Sequence, residues 1–161
     1  MNVIRIARLT DYAIVLLTYF ARATEQVRTA RDLAARSHIP LPTVCKVLKA
    51  LSRGGLLVSQ RGVKGGYSLA RHPEEISIAA IIGVIDGPIA MTDCSAHAPG
   101  LCELEPVCPV RSNWRRINQA VQRALDGLTL GDMTVPLPQQ LATPGRSHAA
   151  SPLMLMTRKT S

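Results

Sequence analysis

A glycine-rich basic segment at residues 60–66 stands between two short apolar runs, 56–59 and 67–70. Its three glycines permit the tight backbone turn that a hairpin needs, and its two bases are Arg61 and Lys64. The sequence therefore predicts a two-stranded β-hairpin with a positively charged tip.

Three helical segments are predicted before this hairpin. Residues 9–23 carry an apolar stripe at three- and four-residue spacing, which is typical of an amphipathic helix. A capping box that begins at Thr29 opens a second helix over 30–36, and after a turn a third helix covers 42–53. The order helix, helix, turn, helix, hairpin is that of a helix-turn-helix with a wing.

The rest of the chain divides into further regions. Ser77 can cap a short helix over 78–85, and a long helix resumes near Val110. The predicted fold class is mostly α with a small β-hairpin, namely a winged helix-turn-helix plus a cysteine loop and a long C-terminal dimerisation helix. The predicted regions are a winged-helix DNA-binding domain at 1–86, a cysteine loop at 87–109, the dimerisation helix and its end at 110–133, and a disordered tail without apolar periodicity at 134–161.

The long helix carries an apolar seam that this small domain is too short to cover. Such a seam suits a second helix, which predicts a homodimer. The alternative is a helix that folds back on its own domain. The seam positions alternate in steps of three and four: Val110, Trp114, Ile117, Val121, Ala124 and Leu128.

The positive charge is concentrated in one quarter of the chain. Residues 28–71 contain nine lysines and arginines and one acid, Asp32, for a net charge of +8, while the remaining residues hold ten bases and ten acids. A charge confined in this way predicts a face that binds a polyanion. Double-stranded DNA is the expected partner, and an anionic membrane surface is the competing interpretation.

The third helix and the wing supply the residues expected to meet DNA. Polar, small and basic side chains face outward while aliphatic ones face inward, as a helix in the major groove requires. Cys45 either contacts DNA, acts as a redox-sensitive thiol or is an indifferent small residue. The predicted DNA-binding residues are Pro42, Thr43, Cys45, Lys46, Lys49 and Arg53 on the helix and Arg61 and Lys64 on the wing.

The sequence predicts a cytoplasmic protein with reduced cysteines. No apolar run reaches the length of a membrane span, and the run at 12–21 resembles a signal peptide only loosely because Asp11 and Thr18 interrupt its pattern. In a reducing compartment, the four cysteines are thiols or metal ligands rather than disulfides. No nucleophile–base pair, phosphate loop or paired carboxylate stands out, so neither an enzyme nor a small-molecule substrate is expected.

Three cysteines lie in the predicted loop at positions 94, 102 and 108. The spacing contains no pair separated by two residues, which argues against a zinc ribbon and a thioredoxin-like redox pair. Three thiolates on one loop can hold an iron–sulfur cluster with a non-cysteine fourth ligand, for which His97, Glu103 and Glu105 are local candidates. Zinc held by three cysteines and a histidine, or cysteines without a ligand, are the alternatives.

Several segments together resemble one known family. They are 9–13, 41–48, the glycine-rich wing 61–67, 86–89, the three loop cysteines and 113–118. Over residues 1–135 the chain resembles the winged-helix iron–sulfur regulators of the IscR and NsrR kind, most closely those that control SUF-type cluster assembly operons.

The resemblance implies a homodimer in which each subunit carries one cluster held by Cys94, Cys102 and Cys108. Some members of the family add a histidine three residues after the last cysteine, a position occupied here by Arg111, which cannot serve. Others use an acidic residue at the start of the first helix, donated by the other subunit, which corresponds to Asp11. The implied cofactor is a 2Fe–2S cluster, with 4Fe–4S as the alternative because the first cysteine interval is longer than in relatives.

The resemblance also implies a function, a repressor of iron–sulfur assembly genes that responds to its own cluster. Two alternatives stay open. One is a redox- or nitric-oxide-responsive repressor without an assembly role, and the other is a zinc-stabilised DNA-binding protein that senses nothing.

Overall fold

The computed structural model describes residues 6–24, 26–62, 65–92, 103 and 106–135. Five α-helices and one antiparallel hairpin form the described part, which confirms the predicted mostly-α fold class with a small β-hairpin. In chain order the elements are α1 (Arg8–Ala21), α2 (Ala30–Ser37), α3 (Leu41–Arg53), β1 (Leu57–Gln60), β2 (Gly66–Leu69), a 3-10 turn (Pro73–Glu75), α4 (Ile78–Ile85), α5 (Arg111–Asp126) and a second 3-10 turn (Asp132–Thr134).

The core lies between α1, α3 and α4. The predicted stripe of α1 is buried, and Phe20, the largest fully buried side chain, lies at its C-terminal end. Burying a side chain of this kind stabilises the fold by about 1.5–3 kcal/mol. Aliphatic side chains supply almost all the rest of the core, as the low aromatic content requires.

The helix-turn-helix is built by a cap and a left-handed turn. The Thr29 hydroxyl accepts a hydrogen bond from the Asp32 amide at 3.1 Å, so the predicted cap of α2 is confirmed. His38 ends α2 with a φ of 58°, the left-handed conformation that often terminates helices. Pro40 and Pro42 then begin α3.

The hairpin is tied to the segment that precedes α2. Leu57 pairs with Leu69 and Gln60 with Gly66, so the loop at 61–65 forms the tip. The amide of Arg28 donates to the Tyr67 carbonyl, and the amide of Tyr67 donates to the Arg28 carbonyl, both at 2.9 Å. This bridge makes residue 28 a minimal third strand that the sequence pattern did not reveal.

The chain returns to the core after α5. The amide of Leu130 donates to the Ile76 carbonyl and the amide of Ile78 donates to the Leu128 carbonyl, each at 2.8 Å. Leu130 is fully buried. The residues that follow α5 therefore close the end of the DNA-binding domain.

One predicted helix end and one seam position were wrong. The first helix ends at Ala21 rather than residue 23. The long helix ends at Asp126, where Gly127 follows, so Leu128 belongs to the return segment and not to the helical seam. The predicted region boundaries stay predictions, and most of the predicted tail, 136–161, lies outside the described residues.

Within the described ranges, we find no helix with the length and apolarity needed to cross a membrane.

Candidate nucleic-acid interface and cluster loop

The outward side of α3 carries most of the residues expected to meet DNA. Its inward stripe, Val44, Val47, Leu48 and Leu51, is fully buried and fixes the rotation of the helix. The opposite side therefore faces solvent. Pro42, Lys46, Lys49 and Arg53 are exposed, while Thr43 and Cys45 are half-buried beside them.

The wing is held close to the body of the domain at Gly66. A Cβ atom there would lie 2.6 Å from the Arg28 carbonyl oxygen and 2.8 Å from a Val27 methyl carbon, so only glycine allows the bridge to residue 28. Arg61 is exposed at the tip, and Lys64 lies outside the described residues. The strand that follows the wing loop is therefore held in position against the body of the domain.

The single acid of the basic region is already paired. Asp32 contacts Arg28 at 3.5 Å and Arg36 at 2.9 Å. None of Lys46, Lys49, Arg53 and Arg61 forms an ion pair with another described residue. These four charges are thus available to an external polyanion.

The cluster donors are only partly located. Cys108 is half-buried just before α5, and its carbonyl accepts a hydrogen bond from the Arg111 amide at 3.4 Å. Cys94 and Cys102 lie outside the described residues, as do His97 and Glu105, while Glu103 is exposed. Among the described residues, no three histidine, cysteine or acidic side chains converge on a metal position. Three thiols and one carboxylate are nevertheless a chemically suitable set for an iron–sulfur cluster.

Asp11 lies in the first turn of α1 with an exposed side chain. Within the described part of the chain, its carboxylate has no hydrogen bond or ion pair. The carboxylate is therefore exposed and unpaired with respect to the residues that the structure describes.

Asn118 anchors the start of the cysteine loop on α5. Its side chain is only 8% exposed. The Asn118 amide nitrogen donates to the Ile89 carbonyl at 3.1 Å, and its amide oxygen accepts from the Met91 amide at 3.0 Å. The loop is thus held on α5 at residues 89–91 and continues directly into α5 after Cys108. Sequence reasoning noted the 113–118 segment but gave Asn118 no role.

A second buried contact joins the loop base to α1. The Thr10 hydroxyl, which is fully buried, donates to an Asp86 carboxylate oxygen at 2.7 Å. Asp86 caps α4 immediately before the loop, and Thr10 is the neighbour of Asp11. The loop base, α5 and the start of α1 therefore form one hydrogen-bonded unit. The sequence did not predict this unit, because Thr10 and Asp86 lie 76 positions apart and meet only in the folded chain.

A profile of the Rrf2 family, described as an iron-dependent transcriptional regulator, matches residues 6–136. The chain belongs to the Rrf2 family. This placement confirms the resemblance drawn from the motifs and makes the chain a DNA-binding transcriptional regulator rather than an enzyme.

Individual Rrf2 relatives agree with this placement. The chain is 30% identical to the HTH-type transcriptional regulator NsrR of Halalkalibacterium halodurans over 125 residues, which are 77% of this chain and 86% of that protein. It is 31% identical to the regulator IscR of Aliivibrio salmonicida over 104 residues, 65% of this chain and 61% of the relative. The solved structure of CymR, the global cysteine regulator of B. subtilis, superposes with a TM-score of 0.65 at 26% identity and covers 82% of this chain and 97% of its own.

Proposed function

We propose that this Rrf2 protein is a dimeric repressor of iron–sulfur assembly genes that senses a cluster held by its three-cysteine loop. The observation that carries the proposal is the attachment of this loop to α5 at both ends, by Asn118 at residues 89–91 and by direct continuation from Cys108. A ligand that orders the loop would act directly on the helix proposed to join the two subunits.

The DNA-binding mode follows from the charges. In the proposal α3 enters the major groove through its exposed face, and the wing reaches the adjacent minor groove, where an arginine is attracted to the strongly negative potential of a narrow groove. The residues assigned to DNA are those of the sequence analysis: Pro42, Thr43, Cys45, Lys46, Lys49, Arg53, Arg61 and Lys64.

Cys94, Cys102 and Cys108 would hold the cluster with Asp11 of the partner subunit, and 2Fe–2S is the favoured type. When bound, the cluster supplies an oxidant-sensitive centre whose occupancy follows iron supply. The residues around the loop would connect the cluster to the rest of the subunit. Asn118 fixes the loop to α5, and Thr10 and Asp86 connect the loop base to α1. DNA and the cluster would favour the same arrangement of the cysteine loop and the dimer helix. Binding of either one would therefore raise the affinity for the other.

Anaerobic absorption and electron paramagnetic resonance spectra, with iron, sulfide and zinc analysis, test the proposed cofactor. We expect visible charge-transfer bands and stoichiometric iron and sulfide. Cys94→Ala, Cys102→Ala and Cys108→Ala should each lose the bands. Cys45→Ala is the matched control, because Cys45 lies on α3 and not in the loop, and it should keep them. A protein that stays colourless after anaerobic reconstitution would refute cluster sensing, and stoichiometric zinc in it would favour the zinc-stabilised alternative.

The proposed homodimer rests on the exposed apolar seam of α5. Trp114 is 37% and Ile117 45% exposed although both are large apolar side chains, and Asn118 is the buried residue of this helix. A second copy of α5 is the occupant we assign to the seam, since an amphipathic helix of this kind pairs readily with its own copy. α5 also carries four arginines, Arg111, Arg115, Arg116 and Arg123, none of which is a seam position.

Ile117→Glu is therefore expected to weaken dimerisation by at least about a hundredfold, because each subunit would bury an unpaired carboxylate at the interface. Gln119→Glu, on the opposite side of α5, is the control and should leave the dimer intact. Size-exclusion chromatography with light scattering measures both. An Ile117→Glu protein that remains a dimer at the lowest measurable concentration would contradict this interface.

A further inference from the structure

A groove between α3 and the hairpin brings together five polar side chains. Its volume is about 310 Å³. Lys49, Ser52 and Arg53 line it from one side of α3, and Ser59 and Tyr67 line it from the hairpin, where they are directly paired across the two strands. Among the residues that the structure describes, no carboxylate lines the groove.

These five side chains have no partners within the described structure. Elsewhere the hydroxyls of Thr10, Tyr19 and Ser77 are engaged in hydrogen bonds, and Arg28 and Arg36 are paired with Asp32. By contrast, no hydrogen bond or ion pair to another described residue is made by the side chain of Lys49, Ser52, Arg53, Ser59 or Tyr67. Five uncommitted donors that share one groove indicate a ligand rich in acceptor oxygens.

On the hairpin side of the groove, Tyr67 is held in place by its backbone and by packing. Tyr67 is bonded through both its amide and its carbonyl to Arg28, and its side chain packs partly against the core. Gly66 allows this close approach. Tyr67 is therefore positioned before any ligand arrives, which reduces the entropy lost on binding.

We propose that this groove, here called the phosphate groove, seats a phosphodiester of the DNA backbone between the major groove read by α3 and the minor groove reached by the wing. The inference rests on the proposed DNA-binding mode and adds Tyr67, Ser59 and Ser52 to it. A phosphodiester carries one negative charge and non-bridging oxygens that accept hydrogen bonds, and arginine, lysine, serine and tyrosine are its usual partners in proteins. Because these contacts ignore base identity, the groove sets the position and register of the domain on the duplex rather than its sequence preference.

Fluorescence anisotropy with the full-length protein and a labelled mixed-sequence duplex, measured across a salt series, tests this site. Tyr67→Phe keeps the ring and the backbone bridge and removes only the hydroxyl. We expect it to weaken binding about tenfold at every salt concentration, as loss of one hydrogen bond to a charged group does. Lys49→Gln and Arg53→Gln should each also reduce the slope of log K against log salt by about 1.

The controls use side chains that are engaged elsewhere. The Tyr19 hydroxyl donates to the Arg36 carbonyl at 3.0 Å, and the Arg123 Nε donates to the Gln119 carbonyl at 3.2 Å on α5. Tyr19→Phe should keep the affinity, and Arg123→Gln should keep the slope. Ser59→Ala serves as a second groove variant that cannot disturb the core, since Ser59 is exposed.

The possible results separate the two proposals. Losses confined to the groove variants support the phosphate groove. If the wild-type protein binds duplex while Tyr67→Phe, Ser59→Ala and Lys49→Gln match it in affinity and slope, the groove proposal is overturned and DNA binding stands. If the wild-type protein binds no duplex at any salt concentration, the DNA-binding proposal itself fails, and the phosphate groove fails with it.

Discussion

Gly65→Ala is expected to reduce affinity for duplex DNA by about tenfold or more while the helical content stays unchanged. A Cβ atom at this position would lie 2.5 Å from the Gln60 carbonyl oxygen and 2.8 Å from the Gly62 carbonyl oxygen. Both are backbone atoms that no rotamer change can move. The turn must therefore open, and the 2.9 Å hydrogen bond from the Gly65 amide to Gly62 is lost.

The loss of affinity follows from the displacement of the wing. Arg61 is attached to this turn, and one hydrogen bond to a charged group contributes about 1.5–3 kcal/mol. The helices are packed on the core independently of the turn, so circular dichroism should not change. Anisotropy with a labelled duplex measures the loss directly.

Gly83→Ala is the matched control for this prediction. A Cβ atom at residue 83 meets no heavy atom within 4 Å, and the residue lies inside α4. The substitution should leave DNA binding unchanged and raise the free energy of unfolding by about 0.5–1 kcal/mol, since alanine favours a helix interior over glycine. If Gly65→Ala binds duplex as tightly as Gly83→Ala, the wing turn does not contribute to the interface.

Leu130→Ala is expected to lower the free energy of unfolding by about 2–5 kcal/mol, the range found for large-to-small substitutions in cores. Leu130 is fully buried, and its amide bonds to the Ile76 carbonyl at 2.8 Å. A cavity would therefore form where the return segment meets the start of α4. Such a loss is a large share of the 5–15 kcal/mol typical of a whole domain.

Urea denaturation at one fixed protein concentration measures this effect, because the stability of a dimer depends on concentration. Met133→Ala is the control: Met133 lies three residues further along and is 47% exposed, so its removal should change stability by less than about 0.5 kcal/mol. Equal effects of the two substitutions would show that the return segment is not part of the core.

Local patterns predicted the local structure well. The capping threonine at residue 29 and the capping serine at residue 77 mark the observed starts of α2 and α4, because a cap needs only a side chain and an amide three residues away. The inward face of α3 was also predicted correctly, since helical periodicity alone decides which residues share a side. The placement of Leu128 on the seam of α5 was wrong, because this apolar residue continues the period after the helix has ended at Asp126.

Some residues of the candidate site could be predicted from the sequence, and others could be found only from the structure. The cationic residues of α3 and the wing could be chosen from charge and periodicity, and the cysteine loop from composition and resemblance. Ser59 and Tyr67 were missed because their importance comes from the groove that they share with α3. Neither residue carries a charge. Tyr67 ends the glycine-rich segment 61–67 that carried the resemblance, but that motif assigned no role to its side chain.

The amino-acid sequence was sufficient for the order of helices, the hairpin, the basic region and the family, because each depends on neighbouring residues or on short motifs. Other features came from the folded chain alone, among them the Asn118 anchor of the cysteine loop, the Thr10–Asp86 contact and the return of Leu130 to the core. Each of these contacts joins residues that lie between 27 and 76 positions apart in the sequence. The return of Leu130 also includes an isolated β-bridge between Ser77 and Thr129. Such contacts form only after the apolar faces of α1, α3 and α4 have packed, because that packing brings the polar partners together and excludes the water that would otherwise satisfy them.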